Sequence, residues 1–194
     1  MTRKTALDRK TNEVAISGRI DLDGTGESTV STGLGFLDHM LVTFAKHAAV
    51  DLELVAEGDI AVDDHHTIED CAIALGRGLD SALGDRRGIK RFGYAYVPLD
   101  ESLVRGVVDL SGRPWPEIHV DFSRDRIGDV SSENLVHFFR SLAVESRMAL
   151  HIDLIRGDND HHKAEAAFKA TAIAFRSAAS IGDEEIPSTK GILG

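Results

Sequence analysis

The sequence predicts an α+β fold made of two internally duplicated ββαβα-like units, with sheets packed against a helical layer. Strand-like stretches alternate with stretches of helical periodicity, and their order in residues 1–90 recurs in residues 91–194. Histidine motifs recur with them. "DHHTIE" (64–69) matches "DHHKAE" (160–165) at an offset of 161 − 65 = 96, and "LDH" at His39 matches "LVH" at His137 at 137 − 39 = 98. Half of the 194 residues is 97.

The elements follow in order. "NEVAISGRIDL" (12–22) and "ESTVST" (27–32), separated by "DGTG", predict a β-pair. "GFLDHMLVTFAKHAA" (35–49) carries Phe36, Met40 and Phe44 along one helical stripe. "VDLELVAEGD" is a strand ending at Gly58, and a helix from Asp64 to about Leu83 has Ile68, Ala72, Leu75 and Leu79 on one face and stops at Gly84. The basic turn "GDRRGIKR" (84–91) links the halves. "FGYAYVPL", "SLVRGVVDLSG" and "WPEIHVDF" read as strands, "SSENLVHFFRSLAVESRM" as a helix opening on a serine cap, and "ALHIDLIRGD" as a strand. The last helix spans Asp160 to about Ala179, before an irregular tail, "DEEIPSTKGILG". Residues 1–90 and 91–194 are thus expected to be half-repeats of one compact catalytic domain.

Composition narrows the function. The chain is 42% hydrophobic, with 22 basic against 32 acidic residues, a net charge of −10 and no basic tract. An extended nucleic-acid or anionic-membrane surface is therefore not expected. "MTRKTALDRKTNEV" has no apolar core of a signal peptide, and no run approaches the roughly 20 apolar residues of a membrane span, so a soluble, cytoplasmic protein is expected. Cys71 is the single cysteine and is expected to be a buried helix residue, leaving histidine and carboxylate for any metal site.

Each half supplies one histidine on its first helix, then a pair with a glutamate on its second, which accounts for six of the nine histidines. On a helix, His65 and Glu69 lie above one another while His66 points aside. Two ions suit this pattern. His65 with Glu69 can clamp one while His66 reaches the other, His161, Glu165 and His162 do the converse, and His39 and His137 complete four ligands per ion. A lone HHxxE is more often a polar helix cap than a metal site; its recurrence half a chain later favours metal. A cation near a helix N-terminus also needs carboxylates, with Glu69, Asp63 and Asp64 at hand. His47, eight residues after His39, is a candidate for lining the site, whereas His119 and His151 read as structural strand residues.

Two divalent ions outweigh two glutamates, so an anionic ligand is favoured, and four protein ligands per ion leave positions open for catalysis if the metal prefers six. The basic residues are not duplicated. Lys169 stands where the first half has Ile73, and Arg91, Arg113 and Lys190 add anion partners from the second half alone. Imidazole suits several transition metals, so these residues by themselves do not choose among them.

"GLGFLDHM" (33–40), "DDHHTIED" (63–70), "DLSGRPW" (109–115), "DNDHHKAEAAFKA" (158–170) and "PSTKG" (187–191) together resemble imidazoleglycerol-phosphate dehydratase, a hydro-lyase family of histidine biosynthesis. The resemblance covers nearly the whole chain in order. "AVESRM" (143–148) departs from it in lacking an asparagine common in that helix, without touching a ligand. The resemblance implies two manganese ions per site, held by His39, His65, His66, Glu69, His137, His161, His162 and Glu165, with His65, Glu69, His161 and Glu165 beside the chemistry. It further implies substrate contacts from Glu13, Arg91, Arg113, Lys169, Ser188 and Lys190, beside which His47 and Thr189 are candidate substrate-binding residues, and a homo-oligomer of 24 chains with sites shared between subunits.

The implied substrate is an imidazole bearing a dihydroxypropyl phosphate, whose dehydration removes a proton from a carbon that no carbonyl acidifies. Metal on the ring nitrogens solves this by favouring imidazolate and a diazafulvene-like intermediate, while a carboxylate such as Glu13 moves the proton. The rival readings are a dinuclear metal store and a dinuclear hydrolase. Stores of the helical-bundle type use more carboxylate than imidazole, the reverse of what stands here.

Overall fold

The computed structural model describes residues 3–182. Its first half runs β1 (Lys4–Lys10), β2 (Val14–Asp21), β3 (Ser28–Ser31), α1 (Gly35–Ala48), β4 (Asp51–Gly58) and α2 (His65–Leu83). The second half runs β5 (Phe92–Leu99), β6 (Ser102–Asp109), β7 (Trp115–His119), a short hairpin of β8 (Arg126–Ile127) and β9 (Val130–Ser131), α3 (Ser132–Glu145), β10 (Ala149–Arg156) and α4 (Asp160–Ala179).

Two four-stranded sheets have matching orders, β1-β2-β4-β3 and β5-β6-β10-β7. In each, the last strand pairs parallel to its neighbour and the other pairings are antiparallel. The fold is α+β, as the alternation of patterns predicts. Two details differ. β1 is absent from the expected elements, because "KTALDRK" buries only Leu7 and so carries almost no apolar alternation. The expected pairing of residues 12–22 with 27–32 is not formed: β4 inserts between β2 and β3, a long-range pairing that local turn residues do not encode.

The helices lie between the sheets. α2 covers β1 and β2, α1 lies on β3 and β4, α4 covers β5 and β6, and α3 lies on β7. Each helix also packs on one from the other half, α1 on α4 and α2 on α3. Phe44 of α1 meets Phe175 of α4, and Phe138 and Phe139 of α3 close on Phe168 of α4 with centroids 5.1 and 4.6 Å apart.

Sequence sets the spacing of these layers. α4 buries Ala164, Ala166, Ala167, Ala170, Ala172, Ala174, Ala178 and Ala179, and the strands beneath it present Gly93 and Gly106. Small residues on both surfaces let the helix backbone approach the sheet closely. A Cβ on Gly93 would lie 1.9 Å from the carbonyl oxygen of Ala174. α2 meets α3 in the same way at Gly76, where a Cβ would lie 3.0 Å from the Leu142 carbonyl oxygen.

Neither that backbone oxygen nor the helix carrying it can yield without disturbing the layer. Gly93→Ala is expected to destabilise the fold by about 1–3 kcal/mol or more. Thermal unfolding should register a drop of roughly 2–4 °C per kcal/mol for a chain of this size. An unchanged melting temperature would contradict this account of the layer spacing.

Candidate metal centre

The helix pairing brings together histidines from opposite halves. His65 and Glu69 on α2 face His137 on α3, and His161 and Glu165 on α4 face His39 on α1. In each group, one donor atom per residue lies within 4.8 Å of the others. His137 Nε2 is 2.9 Å from Glu69 Oε1, with His65 Nε2 at 3.9 Å from Glu69 Oε2. In the second group His161 Nε2 and His39 Nε2 lie 3.1 and 3.4 Å from Glu165 Oε2. Donors bound side by side on one ion at about 2.1 Å sit about 3 Å apart, so the spacing fits a divalent cation. The imidazole-rich donor set suits a transition metal.

His66 and His162 join neither group. His66 Nδ1 bonds Asp59 at 3.1 Å, and its Nε2 lies 3.8 Å from Glu13 Oε1. The hydrogen bond to Asp59, with weaker help from the Glu13 charge, raises the His66 pKa. His162 Nδ1 bonds Glu101 Oε2 at 2.7 Å and its Nε2 faces Asp100 at 3.7 Å. Within one chain, then, His65 and His66 serve different surroundings, as do His161 and His162.

The helix starts explain this orientation. Asn159 caps α4, its amide oxygen accepting the N–H groups of His161 and His162. In the first half Asp63 accepts the His65 N–H. The first aspartate of each Asp-His-His is buried and structural. Asp64 accepts from the backbone and hydroxyl of Ser131, and Asp160 accepts from Ser123, Arg124 and Lys163. Burial pushes the Asp160 carboxyl up, but the Lys163 ammonium and these N–H and O–H donors hold it down at about 2. Asp63 and Asp64, considered above as carboxylates for a cation, are committed to these bonds. Ser131 likewise does not cap its own helix; its hydroxyl goes to Asp64, tying the starts of α2 and α3.

Surroundings of the two groups differ. His65 Nδ1 meets Asn134 Oδ1 at 2.9 Å, and the His65 and His137 rings stack 4.9 Å apart. Around His161 the neighbour is Phe36, edge-on at 5.2 Å. Lys169 Nζ bonds Glu165 Oε1 at 2.8 Å. Burial raises the Glu165 carboxyl, while Lys169 and the two histidines pull it down to about 2, so it remains an anion at neutral pH. His47 is pushed down in pKa by burial and by the nearby Lys169 charge, which places it on this side of the site.

The remaining candidates are more scattered. Arg91 is half-buried, forked onto Asp109 and over the Phe92 ring at 4.6 Å. Arg113 is exposed in the turn after β6. Ser188, Thr189 and Lys190 lie outside the described residues. A cavity of about 440 Å³ on the outer face of the first sheet is lined by Lys4, Arg19, Asp21, Asp51 and Glu53. Asp21 is matched by Lys4, Glu53 by Arg19 and Asp51 by three backbone N–H groups, and no histidine lines it.

Four residues that hold the site are missing from the sequence reading: Asp59, Asp70, Glu101 and Asn134. Glu101 had a signal, since it immediately precedes β6 as Glu13 immediately precedes β2, at 101 − 13 = 88. Asp70 is buried one residue after Glu69. It accepts from Arg9 and from the Thr11 hydroxyl, and Thr11 in turn accepts the Glu13 N–H.

Comparison with known proteins agrees with this architecture. Residues 32–175 match the family model for imidazoleglycerol-phosphate dehydratase. A protein of that name from Methanothermobacter thermautotrophicus is 51% identical over 191 residues, covering 98% of each chain. Another, from Phytophthora nicotianae, is 53% identical over 98% of this chain, which spans only 42% of that longer relative. The crystal structure of the dehydratase from Staphylococcus aureus superposes with a TM-score of 0.82 at 38% identity, covering 91% of this chain and 99% of that one. Two histidine–glutamate groups built across a duplicated α+β fold, in a chain matched nearly end to end, place it in the imidazoleglycerol-phosphate dehydratase family.

Proposed function

We propose that the chain dehydrates imidazoleglycerol phosphate to imidazole-acetol phosphate at a site holding two divalent ions, manganese being the ion the family resemblance implies. The observation that carries this is the pair of cross-half groups. Each offers two imidazoles and one carboxylate, and two such groups match a substrate ring with two nitrogens. We read residues 1–90 and 91–194 as the half-repeats of one catalytic unit, because neither half alone supplies a complete group.

His66 and His162 are the fourth ligands of the two ions, each donated to a group on a neighbouring chain. Their turning away from the groups of their own chain supports this. So does the exposed row of Phe92, Tyr94 and Tyr96 along the edge strand β5, aromatic side chains suited to burial between copies. On this reading the protein is a homo-oligomer whose sites form only on assembly.

When bound, the ions supply Lewis acidity that draws electrons from the substrate ring. The residues do the rest. His39, His65, His137 and His161 fix the ring plane, and Glu69 and Glu165 offset the cationic charge at helix N-termini. Glu13, close to His66, moves the proton from the side-chain carbon. Lys169, Arg91 and Arg113, with Ser188, Thr189 and Lys190 of the tail, take the phosphate. No described helix is long and apolar enough to cross a membrane, and the cytoplasm is the compartment proposed.

Saturated protein should contain two metal ions per chain and convert imidazoleglycerol phosphate to an enolisable ketone with no release of inorganic phosphate. Elemental analysis giving one ion per chain, or phosphate release, would overturn the reading.

Metal retention should weaken as pH falls through about 6.5, because each ligand imidazole must be unprotonated. Glu165, held at about 2, stays ionised throughout, so the loss comes from the histidines. For His66, whose pKa is raised, proton competition begins at a higher pH than for an unperturbed histidine. Retention unchanged from about pH 8 to 5 would exclude a histidine-built centre.

Lys169→Met removes a charge and keeps a helix-compatible side chain. Losing a charge-assisted phosphate contact should cost about 1.5–3 kcal/mol, roughly tenfold to somewhat over a hundredfold in kcat/KM. Glu165 loses its Lys169 partner yet remains anionic, so metal content should stay at two. Emptying of a metal site, or unchanged kcat/KM, would remove Lys169 from phosphate binding.

A further inference from the structure

Glu13 and Glu101 occupy the same place in the two halves. β1 and β5 begin at Lys4 and Phe92, and β2 and β6 at Val14 and Ser102, both pairs 88 residues apart, with a glutamate immediately before each second strand. Each glutamate faces the second histidine of its half's Asp-His-His, Glu13 toward His66 and Glu101 toward His162. The copies are nonetheless employed differently. Glu13 stands 3.8 Å from its histidine and its side chain is 53% exposed. Its turn is pinned from below by Thr11, which bonds the buried Asp70. In the second half the position of Asp70 is Ala166, and the glutamate does the pinning itself. Glu101 Oε1 accepts from Asn159 N–H at 2.8 Å, Ser102 Oγ at 3.0 Å and Asp158 N–H at 3.2 Å, while Oε2 takes His162 Nδ1 at 2.7 Å.

We propose that Glu101 is a positioning residue, the duplicated counterpart of Glu13, which holds His162 with its proton on Nδ1 and its Nε2 bare for metal. This rests on the reading of His162 as a ligand. A carboxylate oxygen can only accept, so a neutral His162 facing Oε2 must carry its proton on Nδ1. Rigid anchoring at Oε1 fixes where Oε2 stands and thereby the ring. The same commitment leaves Glu101 no freedom to carry protons, whereas Asp70 and Thr11 anchor the other turn, and among the described residues the Glu13 carboxylate has no hydrogen bond that fixes it. Duplication supplied two equivalent glutamates, and the anchoring of their turns divided the roles.

Glu101→Gln separates the two functions of the residue. Its amide oxygen can keep the three contacts at Oε1, while an NH2 group replaces the oxygen facing His162 and opposes the Nδ1–H form. Mn2+ is titrated into metal-stripped full-length protein, as parent, Glu101→Gln, Glu13→Gln and His162→Ala. Glu101→Gln should weaken one class of site by about 10- to 100-fold, the class that His162→Ala also weakens, and Glu13→Gln should leave Mn2+ affinity unchanged while lowering kcat. Unchanged affinity in His162→Ala would refute His162 as a ligand. Weakening there but not in Glu101→Gln would refute the positioning role alone, and weakening in Glu13→Gln would refute the division of labour. A measurement on the unsubstituted protein does not depend on the variants folding. Nitrogen-15 NMR of histidine-labelled, metal-free protein at about pH 8 should find His162 as the Nδ1–H tautomer, and the Nε2–H tautomer would overturn the proposal.

Discussion

The contact of each half's helices with those of the other is the constraint on which the rest of the structure depends. A sheet with one apolar face and two helices on it still has the outer side of those helices to bury. Here that side is covered by the helices of the other half, α1 on α4 and α2 on α3. The interface is closely fitted, with Gly76 admitting the end of α3 and Phe44 of α1 set against Phe175 of α4. Because the pairing crosses the halves, His39 reaches Glu165 and His137 reaches Glu69. The same burial that stabilises the core builds both histidine groups.

A cation held at the start of α2 or α4 would sit against the positive end of a helix dipole. Glu69 and Glu165, one turn in, supply the opposing charge at the point of need. The neighbouring aspartates serve the scaffold. Asp64 and Asp160 are buried straps whose oxygens are filled by Ser131 in one half and by Ser123, Arg124 and Lys163 in the other. They fix the helix starts from which the imidazoles project, so the histidines are held by bonds that do not involve a metal.

Divergence between the halves is concentrated around these straps. Lys163 stands at the place of Thr67, its ammonium satisfying Asp160; among the described residues the buried Thr67 hydroxyl has no hydrogen-bond partner and packs over Gly58. Asn134 orients His65 where the other group has Phe36 against His161. Lys169 replaces Ile73 and bonds Glu165. Two centres of like composition therefore sit in unlike fields, as a site for an unsymmetrical substrate requires.

The sequence by itself determined the α+β class, the duplication, the four helices to within three residues at either end, and the eight histidines and glutamates of the paired motifs. Those features are local, carried by periodicity and by motifs half a chain apart. It did not determine that β4 separates β2 from β3, nor that "KTALDRK" is a strand, since strand neighbours and edges are chosen by long-range pairing. The division of adjacent histidines was legible from the helical turn, whereas the bonds that hold His66 and His162, to Asp59 and Glu101, were not. Only the tertiary structure decided which half completes each histidine group and which of two equivalent glutamates is spent as an anchor. Both depend on the distance between elements far apart in sequence, a distance fixed by how closely the helix layers can approach.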